Sequence, residues 1–471
     1  MRVSGSGLLA LSLLATYATA AWGEPYRAVP PSAQGAAATD ARDRYEFSAQ
    51  SETYAELFRR ALLPGPNGSL VSTDTAAPLY EYASLRARDL DTPWQKDSLD
   101  LELALWGRAW LDARNAEQLF DGDIQVANAR YRQGPLSLRI GRQQIAGGAA
   151  RFARFDGVEL AAGLGSGVEA NVYGGWTVLP RWDEQLRYQH LGAAPDSLLH
   201  QWSAFEPGRR GEYWLGGGRL GFGSGGERAG LSFHEQHERG GLGRRNLGFD
   251  GRSAIVSGAT LGTNAVLDVD RLRFADARVW LDTSPAEMLD LSFEYLHTEP
   301  ALFLSSQSVL SVFGSAGYDE LGSYASYRLS PALTFDGSGF AEVYQGERPG
   351  ARAELAGRWF ADRARRTFVR VAYARLLAPD NGYHSLRSSL SQHFSARFRG
   401  TIEAYAYLYD KAIRQYRAST VYSGTLAFDP LPELSLLWGA SLAHSPYANL
   451  DAQTELRVVY AFDRSAARPR P

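Results

Sequence analysis

The 471-residue chain has a formal net charge of -3, with 45% hydrophobic, 21% charged and 12% aromatic residues. No global basic field points to nucleic acid, and the absence of cysteine excludes a disulfide framework, a zinc–thiolate site and a cysteine nucleophile. Lys96 and Lys411 are the only lysines, so arginine carries the positive charge; its planar fork suits carboxylates and sugars.

The N-terminus reads as an export signal over residues 1–20. Arg2 is the positive end, Gly7 to Ala15 the short apolar run, and Ala18-Thr19-Ala20 the cleavage site. That run is too short to span a bilayer, which takes ~20 residues as a helix. No later stretch is long and apolar enough to be a transmembrane helix. Residues 21–44 read as a periplasmic segment without fixed structure.

From residue 45 the chain alternates with period two, the mark of strands rather than helices. In 79–90, Leu79, Ala83, Leu85 and Ala87 oppose Tyr80, Tyr82, Ser84, Arg86 and Arg88. In 99–112, Leu99, Leu101, Leu103, Leu105, Ala109 and Leu111 oppose Asp100, Glu102, Trp106, Arg108, Trp110 and Asp112. The same holds around Val168–Val178, Leu289–Tyr295, Arg352–Trp359 and Thr401–Leu408. These segments exceed the ~5–6 residues of a typical soluble strand. Tight turns (Gly134-Pro135, Gly165-Ser166-Gly167, Ser224-Gly225-Gly226, Ser330-Pro331) alternate with longer connections near 56–78, 113–121, 180–211, 237–247, 299–317, 378–383, 409–415 and 445–451. Short turns at one end and long loops at the other define a membrane barrel.

A barrel with both ends on one side of the membrane needs an even strand number. The segments give 20 or 22, with Asn246–Asp282 holding either one or three strands; a slip there or at the N-terminus would give 18. The fold expected is therefore all-β: a single antiparallel up-and-down transmembrane β-barrel of about 20 strands (18–22) over 45–462, with 463–471 a C-terminal tail. Leu456, Val458, Tyr460 and Phe462 form the last apolar face; this resembles the terminal signature of outer-membrane barrels, although a tail follows the Phe.

Leu138-Arg139-Ile140-Gly141-Arg142-Gln143-Gln144, followed by Arg151-Phe152-Ala153-Arg154-Phe155-Asp156-Gly157-Val158, resembles the L-R-x-G-R-Q … R-x-F-D-G-V pattern of alginate-export-type porins, over about 25 of the 471 residues. The resemblance implies an outer-membrane channel for saccharides, small anions or secreted polysaccharide, with an outer loop between the two strands. It also implies that Arg139, Arg142, Gln143, Arg154 and Asp156 line the lumen or its rim.

Arg108 adds a wall charge. So does a stripe read along one strand from Ser385 through Arg387, Ser389, Ser391, His393, Ser395 and Arg397 to Arg399. An ordinary water-filled wall accounts for such a stripe as well as a sugar slide does. The longest connection, 180–211, sets Trp182, Asp183, Arg209 and Arg210 among aromatics, suited to a constriction folded inward or to an outer lid. The 299–317 connection is too apolar to lie bare in water; it is suited to tucking into the lumen as a plug, the reading favoured here, or to contacting a partner protein or lipopolysaccharide. His234-Glu235-Gln236-His237 has its histidines three apart, on opposite faces of a strand, so no metal site is expected. Tyr405, Tyr407, Tyr409 and Trp438 are read as an interfacial girdle.

The function expected is an outer-membrane channel for polar solutes, extending to a saccharide or polysaccharide export conduit; the alternative is a plugged barrel anchoring an envelope, secretion or motility complex. No catalysis and no cofactor are implied. Expected partners are outer-membrane lipid and lipopolysaccharide, a polar solute or saccharide, and a periplasmic export partner.

Overall fold

The computed structural model of the chain describes residues 44–62, 72–91, 97–111, 120–178, 213–238, 241–299, 302, 317–346, 348–378, 381–413, 415–446 and 448–467. The strands are β1 (Arg44–Leu62), β2 (Ser72–Ala76), β3 (Pro78–Asp91), β4 (Asp97–Trp110), β5 (Phe120–Gln133), β6 (Leu136–Gly147), β7 (Arg151–Gly165), β8 (Val168–Thr177), β9 (Trp214–Ser224), β10 (Glu227–Glu238), β11 (Gly241–Val256) and β12 (Ala259–Asp268). They continue as β13 (Arg273–Ala286), β14 (Leu289–Thr298), β15 (Tyr318–Ser330), β16 (Leu333–Tyr344), β17 (Gly350–Phe360), β18 (Thr367–Leu377), β19 (Tyr383–His393), β20 (Phe398–Ile413), β21 (Tyr416–Leu431), β22 (Leu434–Ser445) and β23 (Ala448–Ala467).

From β3 onward each strand pairs antiparallel with the next, and β23 closes on β1 from Arg44↔Ala467 to Leu57↔Thr454. β2 and β3 both pair with β1 and are two halves of one stave, so the closed barrel has 22. The stretch 246–282 holds the larger of the two expected strand numbers, from the end of β11 through β13. Closure leaves no sheet edge to be satisfied by lipid. The short turns share one rim with Arg44 and Ala467, and the longer connections fall at the other.

Several strands run further than the period predicts. β10 and β11 are separated only by residues 239–240, where the sequence suggested a long connection, and β23 continues through Asp463 to Ala467. Conversely, the hydrophilic stripe does not stay on one strand. β19 ends at His393, and Phe394 and Ser395 both donate backbone N–H bonds to Phe398 O. The Phe394 and Phe398 rings stack at 5.2 Å across this turn, and that apolar staple reverses the chain.

The two faces separate as the alternation requires. Leu101, Ile140, Leu220, Leu231, Leu321, Val371, Leu390 and Ile402 all stand exposed on the outer face. In water they would make an intolerable apolar patch; in a bilayer they form the lipid-facing band of an outer-membrane barrel. The protein is a bacterial outer-membrane β-barrel. Tyr405, Tyr407 and Tyr409 are a correction to the girdle reading: they alternate with lipid-facing Ile402 and Leu408 and so point inward, with Tyr409 Oη bonded to Ser419 Oγ at 3.0 Å.

Candidate functional site: a lumen crossed by one hairpin

The inner wall is a belt of arginine–carboxylate pairs reaching across neighbouring strands. Arg86 meets Glu102 (3.0 Å), Arg139 meets Glu159, and Arg219 meets Asp250 (2.6 Å) and Glu169 (2.8 Å). Further round, Arg278 meets Glu294 (2.8 Å), Arg352 meets Glu320 (2.9 Å), Arg370 meets Glu354 (2.7 Å) and Arg457 meets Glu52 (2.6 Å). Charge-assisted pairs of this kind hold both partners in fixed geometry. The wall is therefore polar, nearly neutral and stiff.

The sequence-predicted residues fall into four places. Arg108, Arg139 and Arg387 are on the inner wall: Arg108 beside Asp121 (3.4 Å), Arg387 beside Glu403 (3.2 Å) and over the Tyr405 ring (4.8 Å). His393 stands exposed at the short-turn end of β19, and Arg397 lies in the following turn rather than on the wall. Trp182, Asp183, Arg209 and Arg210 lie outside the described residues. Arg142, Gln143, Arg154 and Asp156 belong to a feature the period alone did not show.

That feature is the upper half of the β6–β7 hairpin, which parts from β5 while β7 stays paired to β8 as far as Phe155↔Thr177. β5 and β6 pair only from Gln133↔Leu136 to Ala127↔Arg142, whereas β6 and β7 stay paired to Gly147↔Arg151. β6 turns away from β5 at Gly141 (φ 120°), while at Gly157 β7 lies tight against β8. A Cβ on Gly157 would overlap the Gly174 carbonyl, and one on Gly141 the Ala127 carbonyl. Only glycine allows strands to approach so closely.

Beyond Gly141 the hairpin folds inward over one side of the lumen, toward β10–β13. Its tip is a 3-10 turn, Gly148–Ala150, docked on the inner faces of β10 and β11. Ala149 N donates to Ser232 Oγ (2.8 Å), and Asn246 Nδ2 donates to Ala149 O (3.1 Å). Arg244 Nη2 donates to Phe152 O (3.3 Å), and Arg151 reaches Asp276 on β13 (2.7 Å). Phe155, Ala150 and Ala153 pack on Leu215, with Ile145 and Tyr173 alongside. Gln143 and His234 become fully buried behind this cover, His234 bonded through Nδ1 to Tyr173 Oη (3.1 Å). Gln143 is thus covered by the hairpin and does not line open lumen.

At the split, side chains replace the lost ladder. Arg142 binds Asp156 through Nε (2.7 Å) and Nη2 (3.0 Å), and Nη1 reaches Asp123 (3.2 Å) and Ile124 O (2.9 Å) on β5. Arg154 also meets Asp123 at 3.0 Å. The signal was present in the alternation. Leu136, Leu138 and Ile140 face lipid, yet the next position on that face is Arg142; from the other strand Leu160 and Val158 are followed by Asp156 and Arg154. An arginine facing lipid at mid-membrane costs about 2–4 kcal/mol, so a hairpin with this pattern is driven inward. Of the 299–317 connection, Glu299, Leu302 and Gly317 are described, and Leu302 is buried against Val266 and Ala275; the rest of that connection lies outside the described residues.

No family model and no curated protein matches this sequence. Among solved structures, it is similar to OccAB4 of Acinetobacter baumannii, with 11% identity over 90% of this chain and 98% of that one at a TM-score of 0.41. It is similar to OccK2 (OpdF) of Pseudomonas aeruginosa, solved with glucuronate, with 10% identity over 89% and 96% at 0.42. It is also similar to the P pilus usher (PapC) translocation pore, with 8% identity over 89% and 99% at 0.42.

Proposed function

We propose that the protein is an outer-membrane channel for small polar solutes, with the inward β6–β7 hairpin as its constriction. The single observation that carries this reading is the docking of Ala149 on Ser232 and Asn246 inside a lumen walled by paired charges. Arg108, Arg139 and Arg387 belong to that wall. A neutral lattice of donors and acceptors, with serines 385, 389 and 391 on β19 and Tyr405 on β20, favours uncharged hydroxyl-rich solutes over ions of either sign. A saccharide is the solute class we favour. A hairpin folded into the bore speaks for short solutes rather than a passing polymer, so polysaccharide export is the weaker form of this reading. The same hairpin supports the rival, a plugged barrel acting as an anchor.

Planar-bilayer recording separates the two. Stable open steps from the intact protein, enlarged when residues 147–150 are deleted, are the expected result. Silence from the intact protein with large steps from the deletion would mean a plugged barrel. Silence from both, with the barrel folded, would end the channel reading.

A further inference from the structure

Two adjacent turns on the short-turn rim carry positive charge that no carboxylate balances. The β17–β18 turn holds Arg363, Arg365 and Arg366, and the β19–β20 turn holds Arg397. All four are exposed, and among the described residues none meets a carboxylate. Arg365 lies over the Phe360 ring (5.1 Å) and donates to Pro331 O (3.4 Å). Asp362, the acid in the same turn, is taken up by the backbone N–H groups of Arg366 and Thr367. The rim is not basic throughout. The β13–β14 turn carries Glu287, and Asp429 at the end of β21 is held by Arg399 (3.2 Å).

The outer face above these turns fixes their depth. Trp359, Val369, Leu390 and Ile402 form one lipid-facing row in register, and Trp359, Leu390 and Ile402 stand exposed on it. One step nearer the rim the row becomes Thr367, Gln392 and Gly400, with Thr367 Oγ1 donating to Gln392 Oε1 at 2.7 Å. Phe394 and Phe398, stacked and exposed, flank that polar step.

A change from apolar to polar within one step marks the edge of the hydrocarbon, and aromatic rings at that level are the usual interfacial anchors. The four arginines, just beyond it, therefore lie at headgroup depth. Short turns of an outer-membrane barrel face the periplasm, so the headgroups beside them belong to the periplasmic leaflet.

We propose that the outer face between these two turns binds an anionic phospholipid of the periplasmic leaflet. The phosphate lies among the arginines, whose planar forks match its oxygens. Thr367 Oγ1, already a donor to Gln392, is left as an acceptor for a headgroup hydroxyl. The acyl chains follow Val369, Leu390 and Ile402. A zwitterionic lipid would bring its own cation among four others with no carboxylate to receive it, so net negative charge is selected. A soluble acidic partner would leave the apolar row above unused, which is why the lipid is favoured. The site faces away from the lumen and does not rest on the solute-channel reading.

The folded protein in detergent is titrated with phosphatidylglycerol and with phosphatidylcholine of the same chains, and bound lipid is counted by native mass spectrometry. Three forms are compared, each first shown to be folded by its heat-modifiable gel shift. They are the parent, the double variant Arg366→Gln/Arg397→Gln, and Arg228→Gln/Arg252→Gln, a register pair near the same rim on β10 and β11. The parent should hold phosphatidylglycerol about tenfold more tightly than phosphatidylcholine. Arg366→Gln/Arg397→Gln should erase that preference, and the β10–β11 variant should keep it. Equal affinity of the parent for both lipids, or the same loss in both double variants, overturns the site. Displacement of phosphatidylglycerol by an equal concentration of soluble hexaglutamate overturns the lipid in favour of an acidic protein partner. None of these readouts requires conductance, so a silent bilayer recording would leave this test standing.

Discussion

Arg151, at the tip of the β6–β7 hairpin, meets Asp276 on β13 at 2.7 Å, joining parts of the wall that lie six strands apart. Both side chains are about three-quarters buried. The pair is one of a few polar tethers that hold the constriction in place. Arg151→Ala and Asp276→Ala should each loosen the tip and give noisier, larger current steps with the fold intact. A double-mutant cycle on unfolding in urea should show a coupling of about 1 kcal/mol. Additive single effects would mean that the tip is held without this pair, by its contacts to Ser232, Asn246 and Arg244 and its packing on Leu215.

The Arg142 cluster is a stability element that ties β5, β6 and β7 together. Arg142→Ala leaves Asp123 and Asp156 without their shared fork. Removing one member of a buried ionic group costs about 3–5 kcal/mol, and partial exposure here lowers the expectation to about 1–3 kcal/mol. Arg142→Lys should restore little, because one ammonium cannot serve Asp156 twice and also reach Asp123 and Ile124 O. Equilibrium unfolding in lipid vesicles checks both; full rescue by lysine would show that charge alone matters.

The glycines of β7 separate close packing from ordinary strand positions. Gly157→Ala places a Cβ onto the Gly174 carbonyl, so the strands must move apart. Overpacking of this kind typically costs about 1–3 kcal/mol, and a lower yield of heat-modifiable folded barrel should follow. Gly163→Ala, on the same strand, meets Pro135 Cβ at 3.8 Å, an ordinary contact. It should fold like the parent. Equal behaviour of the two variants would remove the tight β7–β8 approach from the account of how the hairpin is held.

Most of the barrel was legible because one rule repeats around it: apolar out, polar in, a reversal every ten or so residues. Leu101, Leu390 and Ile402 face lipid as their alternation dictates. Residues 394–397 misled because Ser395, Arg397 and Arg399 keep the period through a turn, and only the Phe394–Phe398 staple marks the reversal. The hairpin was missed for a different reason. Its motif is visible as a run of residue types, but its meaning lies in parity: Arg142 and Asp156 occupy lipid-facing positions, and that conflict turns β6 away from β5. Where the tip then docks, on Ser232 and Asn246 far along the chain, is a tertiary fact that no local pattern encodes.

At the opposite rim, Asp362 organises the turn between β17 and β18. It accepts backbone N–H bonds from Arg366 (3.0 Å) and Thr367 (2.7 Å), and the Arg366 bond is the main cause holding its carboxyl below the usual aspartate range. A carboxylate whose folded pKa is depressed stabilises the fold above its unfolded pKa and loses that contribution as pH falls through the folded value. The turn should therefore be ordered at neutral pH and loosen only in acid, below the ordinary aspartate pKa of about 4. Amide hydrogen exchange at Arg366 and Thr367, corrected for its intrinsic pH dependence, should lose protection in that acid window. In Asp362→Ala the protection should be low throughout and flat with pH. A parent turn whose protection did not change across that window would show that strand pairing, rather than Asp362, sets the reversal.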